Sequence, residues 1–117
     1  MPGLEPLTIE EGLIQVAAGR RVEIQKLNIG PLVTIPVSSS TVTVTGSFHF
    51  LNNVGGGNQN VDNILGGVEG DILVLGGSGI RLRSVGNLSL PSNFLLQTGK
   101  SIVLVFIGNW FQLSRTT

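Results

Sequence analysis

Cysteine is absent from the 117 residues, which excludes disulfide staples, thiol catalysis and cysteine metal sites. Histidine occurs once, as His49, too few for most histidine-based metal centres. Charge is scarce: 12% of the residues are charged, against about 25% in an ordinary soluble domain. Seven Lys and Arg balance seven Asp and Glu, so the formal net charge is zero. Electrostatically driven binding of DNA, RNA or an anionic membrane needs a net positive field, so neither nucleic acid nor membrane is an expected partner. The same balance removes the usual protection against self-association. No apolar run reaches the ~18–20 residues of a membrane span, and Met1-Pro2-Gly3-Leu4-Glu5 lacks the basic start of a secretory signal.

What the chain does hold is glycine and aliphatic side chains together. Seventeen glycines accompany a hydrophobic fraction of 41% and a mean hydropathy of +0.37. Disordered glycine-rich segments are poor in aliphatics, whereas many glycines among many β-formers mean tight turns between short strands. A small domain exposes much of its surface, and this one has few charges to place there. Either the surface is neutral and rich in hydroxyls and amides, or other subunits cover it; the second is the expectation taken here.

Residues 1–11 form a candidate N-terminal arm, and 12–117 a single β domain. Thr8 followed by Glu11 fits a capping box, which would start a helix over Ile9–Ala18 with Gly19 as its stop. A hairpin of Leu13–Ala17 and Arg21–Ile29 about the turn Ala18-Gly19-Arg20 fits as well, and both readings stay open. Strand signals dominate from Arg21 onward. Leu32–Val37 carries Pro36, which suits an edge or bulged strand. Thr41–Phe50 alternates, with Val42 and Val44 on one face, and Phe48 and Phe50 share a side opposite His49. The uncharged run 52–60, with Asn52, Asn53 and Asn58, is a candidate mobile or partner-facing tip. From Val61 on, short aliphatic strands alternate with Gly or Asn turns. The segments Glu69–Leu75 and Thr98–Val105 echo one another: a polar Gly turn launches an unbroken aliphatic strand, the mark of burial on both faces. This spacing predicts an all-β antiparallel sandwich of the jelly-roll kind, or a small barrel.

Catalytic signals are weak. Gly99-Lys100-Ser101 resembles the tail of a phosphate-binding loop, but the required earlier glycine is Phe94 and a strand follows where a helix N-terminus is needed. Asp62, Glu69 and Asp71 lack the alternation of a calcium loop; capping by Asp71, or pairing with Arg81 or Arg83, is the simpler role. His49 has no companion signature for a general base and reads as a surface or interface histidine. No catalytic residue, cofactor or metal site is therefore expected, and the chain reads as a non-enzyme. Trp110 could serve a sugar platform if exposed, with a core or subunit-interface role as the default. Arg81, Arg83 and Arg115 are basic points able to mate with an acidic patch or simply to face solvent.

The stretch Ile64-Leu65-Gly66-Gly67, Gly70-Asp71-Ile72-Leu73-Val74-Leu75, Gly86-Asn87-Leu88-Ser89-Leu90, Phe94–Phe106 and Gly108-Asn109-Trp110-Phe111-Gln112-Leu113-Ser114-Arg115 resembles a pattern recurrent in tailed-bacteriophage virion proteins. The pattern marks a β-rich, usually trimeric module of decoration, tail and fibre proteins, and here it covers about half the chain, residues 61–115. With a short arm and no shaft, the chain resembles a capsid cement (decoration) protein more than a fibre. The resemblance implies a homotrimer on the capsid surface of the virion, with itself and the major capsid protein as partners. Interface candidates are then Pro2, Leu4, Leu7 and Ile9 in the arm, Asn52, Asn53 and Asn58 at the tip, and Arg81, Arg83, Trp110 and Arg115. The rival expectation is a tail, fibre or carbohydrate-binding receptor module.

Overall fold

The computed structural model describes residues 18, 19, 21, 23 and 25–117. The arm 1–11, its candidates Pro2, Leu4, Leu7 and Ile9, and the helix-or-hairpin question over 9–17 lie outside the described residues. Ala18 and Gly19 form a turn, and the described residues between Arg21 and Ile29 carry no strand, unlike the expected second hairpin arm.

Eleven strands follow: β1 (Val33–Val37), β2 (Thr41–Thr43), β3 (Phe48–Asn53), β4 (Gln59–Val61), β5 (Asn63–Leu65), β6 (Ile72–Ser78), β7 (Ile80–Leu82), β8 (Leu88–Ser89), β9 (Phe94–Leu96), β10 (Ser101–Ile107) and β11 (Asn109–Arg115). The described residues contain no helix, so the molecule is all-β. The strands form three sheets: a six-stranded one in the order β1-β3-β6-β10-β11-β8, a two-stranded one, β2-β5, and a three-stranded one, β4-β7-β9.

The chain visits these sheets in rotation. From β2 it passes to β3 in the large sheet, β4 in the three-stranded sheet, and β5, which lies parallel beside β2 with Thr41 opposite Asn63. The next lap sets β6 parallel to β3, Phe48 opposite Val74, and β7 parallel to β4, Gln59 opposite Ile80. Successive laps thus stack in register, the winding of a short β-solenoid. The antiparallel sandwich expected from the turn spacing is not what forms, because its Gly and Asn turns are of two kinds. Some reverse the chain, while others, such as the single residues Asp62 between β4 and β5 and Gly79 between β6 and β7, only bend it round a corner. Corner amides continue the ladders: Val44 N donates to Leu65 O at 2.9 Å and Asp62 N to Ser40 O at 2.8 Å.

Two further departures have the same origin. Thr41–Phe50 is not one strand but two, broken at Val44–Ser47 where the chain turns from one sheet to another. Gly76 and Gly77, which follow the aliphatic run Asp71–Leu75 and by the Gly-turn pattern were expected to end it, lie inside β6. The Phe50 ring lies against Gly76, 3.4 Å from where a Cβ would stand, so the aromatic covers backbone that glycine leaves bare.

The winding ends when the chain reverses. β9 returns antiparallel to β7, β10 antiparallel to β6, and the hairpin at Gly108 lays β11 on β10. Reversal ends the parallel stacking and leaves the short strands β8 and β9 at the sheet edges. Inward side chains meet along the axis: Val42, Leu51, Val61, Ile64, Leu73, Leu75, Ile80, Leu82, Leu96, Ile102 and Leu104 are buried with Trp110 in one cluster. β1, with Pro36, lies at the edge of the large sheet, as Pro requires.

Candidate functional site

The one histidine is the most buried polar side chain among the described residues. β3 turns Phe48 and Phe50 outward and His49 inward, as alternation dictates, but His49 is wholly buried rather than at the surface. Its Nε2 accepts from the amides of Thr45 at 3.2 Å and Gly46 at 3.1 Å. That nitrogen therefore carries no proton, and Nδ1 donates to Val33 O at 3.1 Å. The corner at 44–47 strands two N–H groups beyond the ladders, and the imidazole satisfies both while tying in β1. With every lone pair and proton committed to backbone, His49 is a structural clamp. Replacing it by leucine is expected to leave two donors and one acceptor unpaired and to lower stability by about 3 kcal/mol. His49→Gln, whose carbonyl can reach the same amides, is expected to recover part of the loss; thermal unfolding followed by tryptophan fluorescence reads both.

Several of the remaining polar candidates are also engaged within the chain. Arg83 Nε and Nη2 donate to the two oxygens of Asp62 at 2.7 and 2.5 Å, bracing the corner between β4 and β5. That hydrogen bond holds the Asp62 carboxyl below its ordinary value, against a smaller opposing effect of burial. Asp71 caps its own turn, accepting from Val68 N at 2.9 Å, as its place before a strand suggested. Asn53 organises the tip: its Oδ1 accepts from Gly55 N at 2.9 Å and its Nδ2 donates to Gly79 O at 3.2 Å and to Gly57 O. Arg115 donates to Gln112 Oε1 at 2.5 Å and Ser92 O at 2.8 Å, and its guanidinium stacks 4.6 Å from the Phe94 ring. Asn52, Asn58 and Arg81 are exposed. Trp110 is buried in the core and donates from Nε1 to Ile64 O at 3.0 Å, so it offers no sugar platform on this surface. Among the described residues, the expected interface candidates are not gathered into one site.

A pocket of about 230 Å³ opens between the corner Thr45–Ser47 and Asp71, with Trp110 at its base. One carboxylate lines it, already engaged by Val68 N. Among the described residues no three His, Asp or Glu side chains converge to hold a metal ion.

What the structure does gather is apolar. On the outer face of the six-stranded sheet, Phe48 stands opposite Val74, and Val74 opposite Val103, in one row across three strands. In the next row Ile72 stands opposite Val105, and Val105 opposite Phe111. Leu113 and Ile107 extend the face. Ile72 and Phe111 are each 41% exposed, Leu113 57% and Ile107 62%. The outward positions of β3, β6 and β10 hold no charged residue. β6 and β10 were expected to be buried on both sides; among the described residues only their inner side chains, Leu73, Leu75, Ile102 and Leu104, are fully buried. The unbroken aliphatic runs were the sequence signal for this face, but they do not say which side is left open.

Comparison with protein-family models, with curated proteins and with solved structures finds no match.

Proposed function

We propose that this chain is a structural virion protein, a capsid cement (decoration) protein that stabilises a phage head as a homotrimer, working by binding rather than by catalysis. The observation that carries the reading is the uncharged, outward apolar face of the large sheet, in a chain with zero net charge. It is supported by the resemblance of residues 61–115 to tailed-phage virion modules and by polar side chains that bond to their own backbone instead of converging on a ligand. A protein of this kind acts by mass action: binding only the assembled shell raises the stability of that shell. The partners are then further copies of the chain and the major capsid protein, and the location is the capsid surface.

Quantitative mass spectrometry of purified virions, with binding of the purified chain to expanded capsids, tests the proposal. Hundreds of copies per particle together with capsid binding are expected. Absence from the particle and from capsids would overturn it. A few copies per particle would favour a tail or fibre module, a second reading supported by the parallel winding, since laps that stack along an axis suit a shaft or a tip.

A further inference from the structure

We infer that the outer face of the six-stranded sheet is where copies of this chain pack on one another, with Phe48, Ile72, Val74, Val105 and Phe111 at the centre of the contact. The inference rests on the homo-oligomeric part of the reading above and names its surface. Three observations identify the occupant as the same face of another copy.

The first is chemistry. The two apolar rows, Phe48–Val74–Val103 and Ile72–Val105–Phe111, cross the middle of the sheet, where each strand is already paired on both sides within the chain or sits beside a paired one. The ladders satisfy the backbone, so a partner cannot dock by adding a strand and must bring an apolar surface. A charged partner would be desolvated against this face with nothing to pair with. The same face of another copy is a surface that meets the need.

The second is area. Ile72, Phe111, Leu113 and Ile107 are each two-fifths or more exposed, and half-buried Phe48, Val74, Val103 and Val105 join them into one continuous apolar patch of the kind that marks a contact surface. A face-to-face contact has to remove at least about 1,200 Å² from water in total, the lower bound for a specific stable interface, and a patch that spans four strands is broad enough for its partner to be an equally broad sheet face. Three copies turned toward a common axis would bury more, and their sheets could approach to the usual ~10 Å of stacked β-layers. The third is electrostatics: with a net charge of zero, copies meet without the mutual repulsion that keeps most soluble proteins apart.

The test is sedimentation equilibrium of the full chain and of the double variant Ile72→Lys/Phe111→Lys. Both positions are substantially exposed in the single chain, so the lysines can be solvated without disturbing the fold, and circular dichroism and Trp110 fluorescence should be unchanged. The wild type is expected to sediment as an assembly, and the double variant as a monomer, its dissociation constant raised at least about 100-fold by charges brought into a dry contact. The control Leu65→Lys/Val85→Lys changes exposed apolar residues outside this sheet and should assemble as the wild type does. A monomeric wild type at 100-fold higher concentration, a double variant that assembles normally, or a control that dissociates equally would each overturn the inference. Virion copy number is read separately: hundreds of copies of a chain that is monomeric in solution would retain the capsid role and sink this interface, whereas assembly through this face by a protein missing from virions would do the reverse.

Discussion

Trp110→Ala is expected to destabilise the protein by about 4 kcal/mol and to lower Tm by about 20 °C. The indole fills the end of the core where the reversed strands meet the last lap. It contacts Phe106 edge-to-face, with ring centroids 5.0 Å apart, and lies so close to Gly67 that a Cβ there would come within 2.7 Å of it. Truncation opens a large cavity under β11, and the neighbouring segments are tied by ladders that prevent collapse into it. Trp110→Phe separates the two contributions of this residue. It keeps the ring in place and removes the donor to Ile64 O, an oxygen that still accepts from Asn87 Nδ2 at 2.7 Å. Its expected cost is therefore only about 1 kcal/mol. Circular dichroism melts of both variants check the pair of values. A tolerated alanine, with Tm within a few degrees of wild type, would mean that Trp110 does not hold this end of the core together.

Gly86→Ala is the second large effect, with a different cause. Gly86 has φ of 58°, left-handed backbone that an L side chain adopts only with strain. A Cβ there would also stand 2.3 Å from the Asp62 carbonyl oxygen and 2.5 Å from Asn63 Oδ1. The turn cannot move aside, because the next residue, Asn87, is bonded on both sides of its amide to Ile64: it accepts from Ile64 N at 2.8 Å and donates to Ile64 O. An expected loss of about 3 kcal/mol follows, most of it from the collision with backbone. Gly108→Ala is the comparison. Its φ of 76° is also left-handed, but nothing lies within 4 Å of the added carbon, so the cost should be near 1 kcal/mol. Trp110 is the single tryptophan and tyrosine is absent, so intrinsic fluorescence follows unfolding of both variants from one site. Equal losses at the two positions would show that strain alone, without the collision, sets the cost.

The strands themselves were legible. β9, β10 and β11 fall where aliphatic and aromatic runs stand between Gly, Pro and Asn turns, and the echo of Glu69–Leu75 by Thr98–Val105 corresponds to β6 and β10, which pair antiparallel at the centre of the large sheet. The alternation about Thr41–Phe50 correctly sent Val42 and Val44 inward and separated His49 from the two phenylalanines. Its length was misleading, because a bend at 44–47 preserves alternation on either side while moving the chain to another sheet. Burial of His49 was not legible either. The reason for it is a pair of amides stranded at that bend, and no local pattern announces them. Pairing of an acid with Arg83 was among the expected roles, and Asp62 supplies it; that Arg115 would bond to Ser92 and Asn53 to the backbone of Gly79 was not legible, because those partners lie more than 21 residues away in the chain.

By itself, then, the sequence determined that this protein is all-β, almost uncharged, without cysteine, and built of short apolar strands punctuated by glycine and asparagine. Those properties depend on a residue and its near neighbours: β-branched side chains favour extended backbone, and glycine accepts left-handed turns. Only the tertiary structure decided whether a turn reverses the chain or carries it round a corner, and which side of each strand is left open. Both outcomes depend on where a strand from a different lap finds its hydrogen-bonding partner, and a choice between distant partners is made by the whole ladder at once, not by the few residues at the turn.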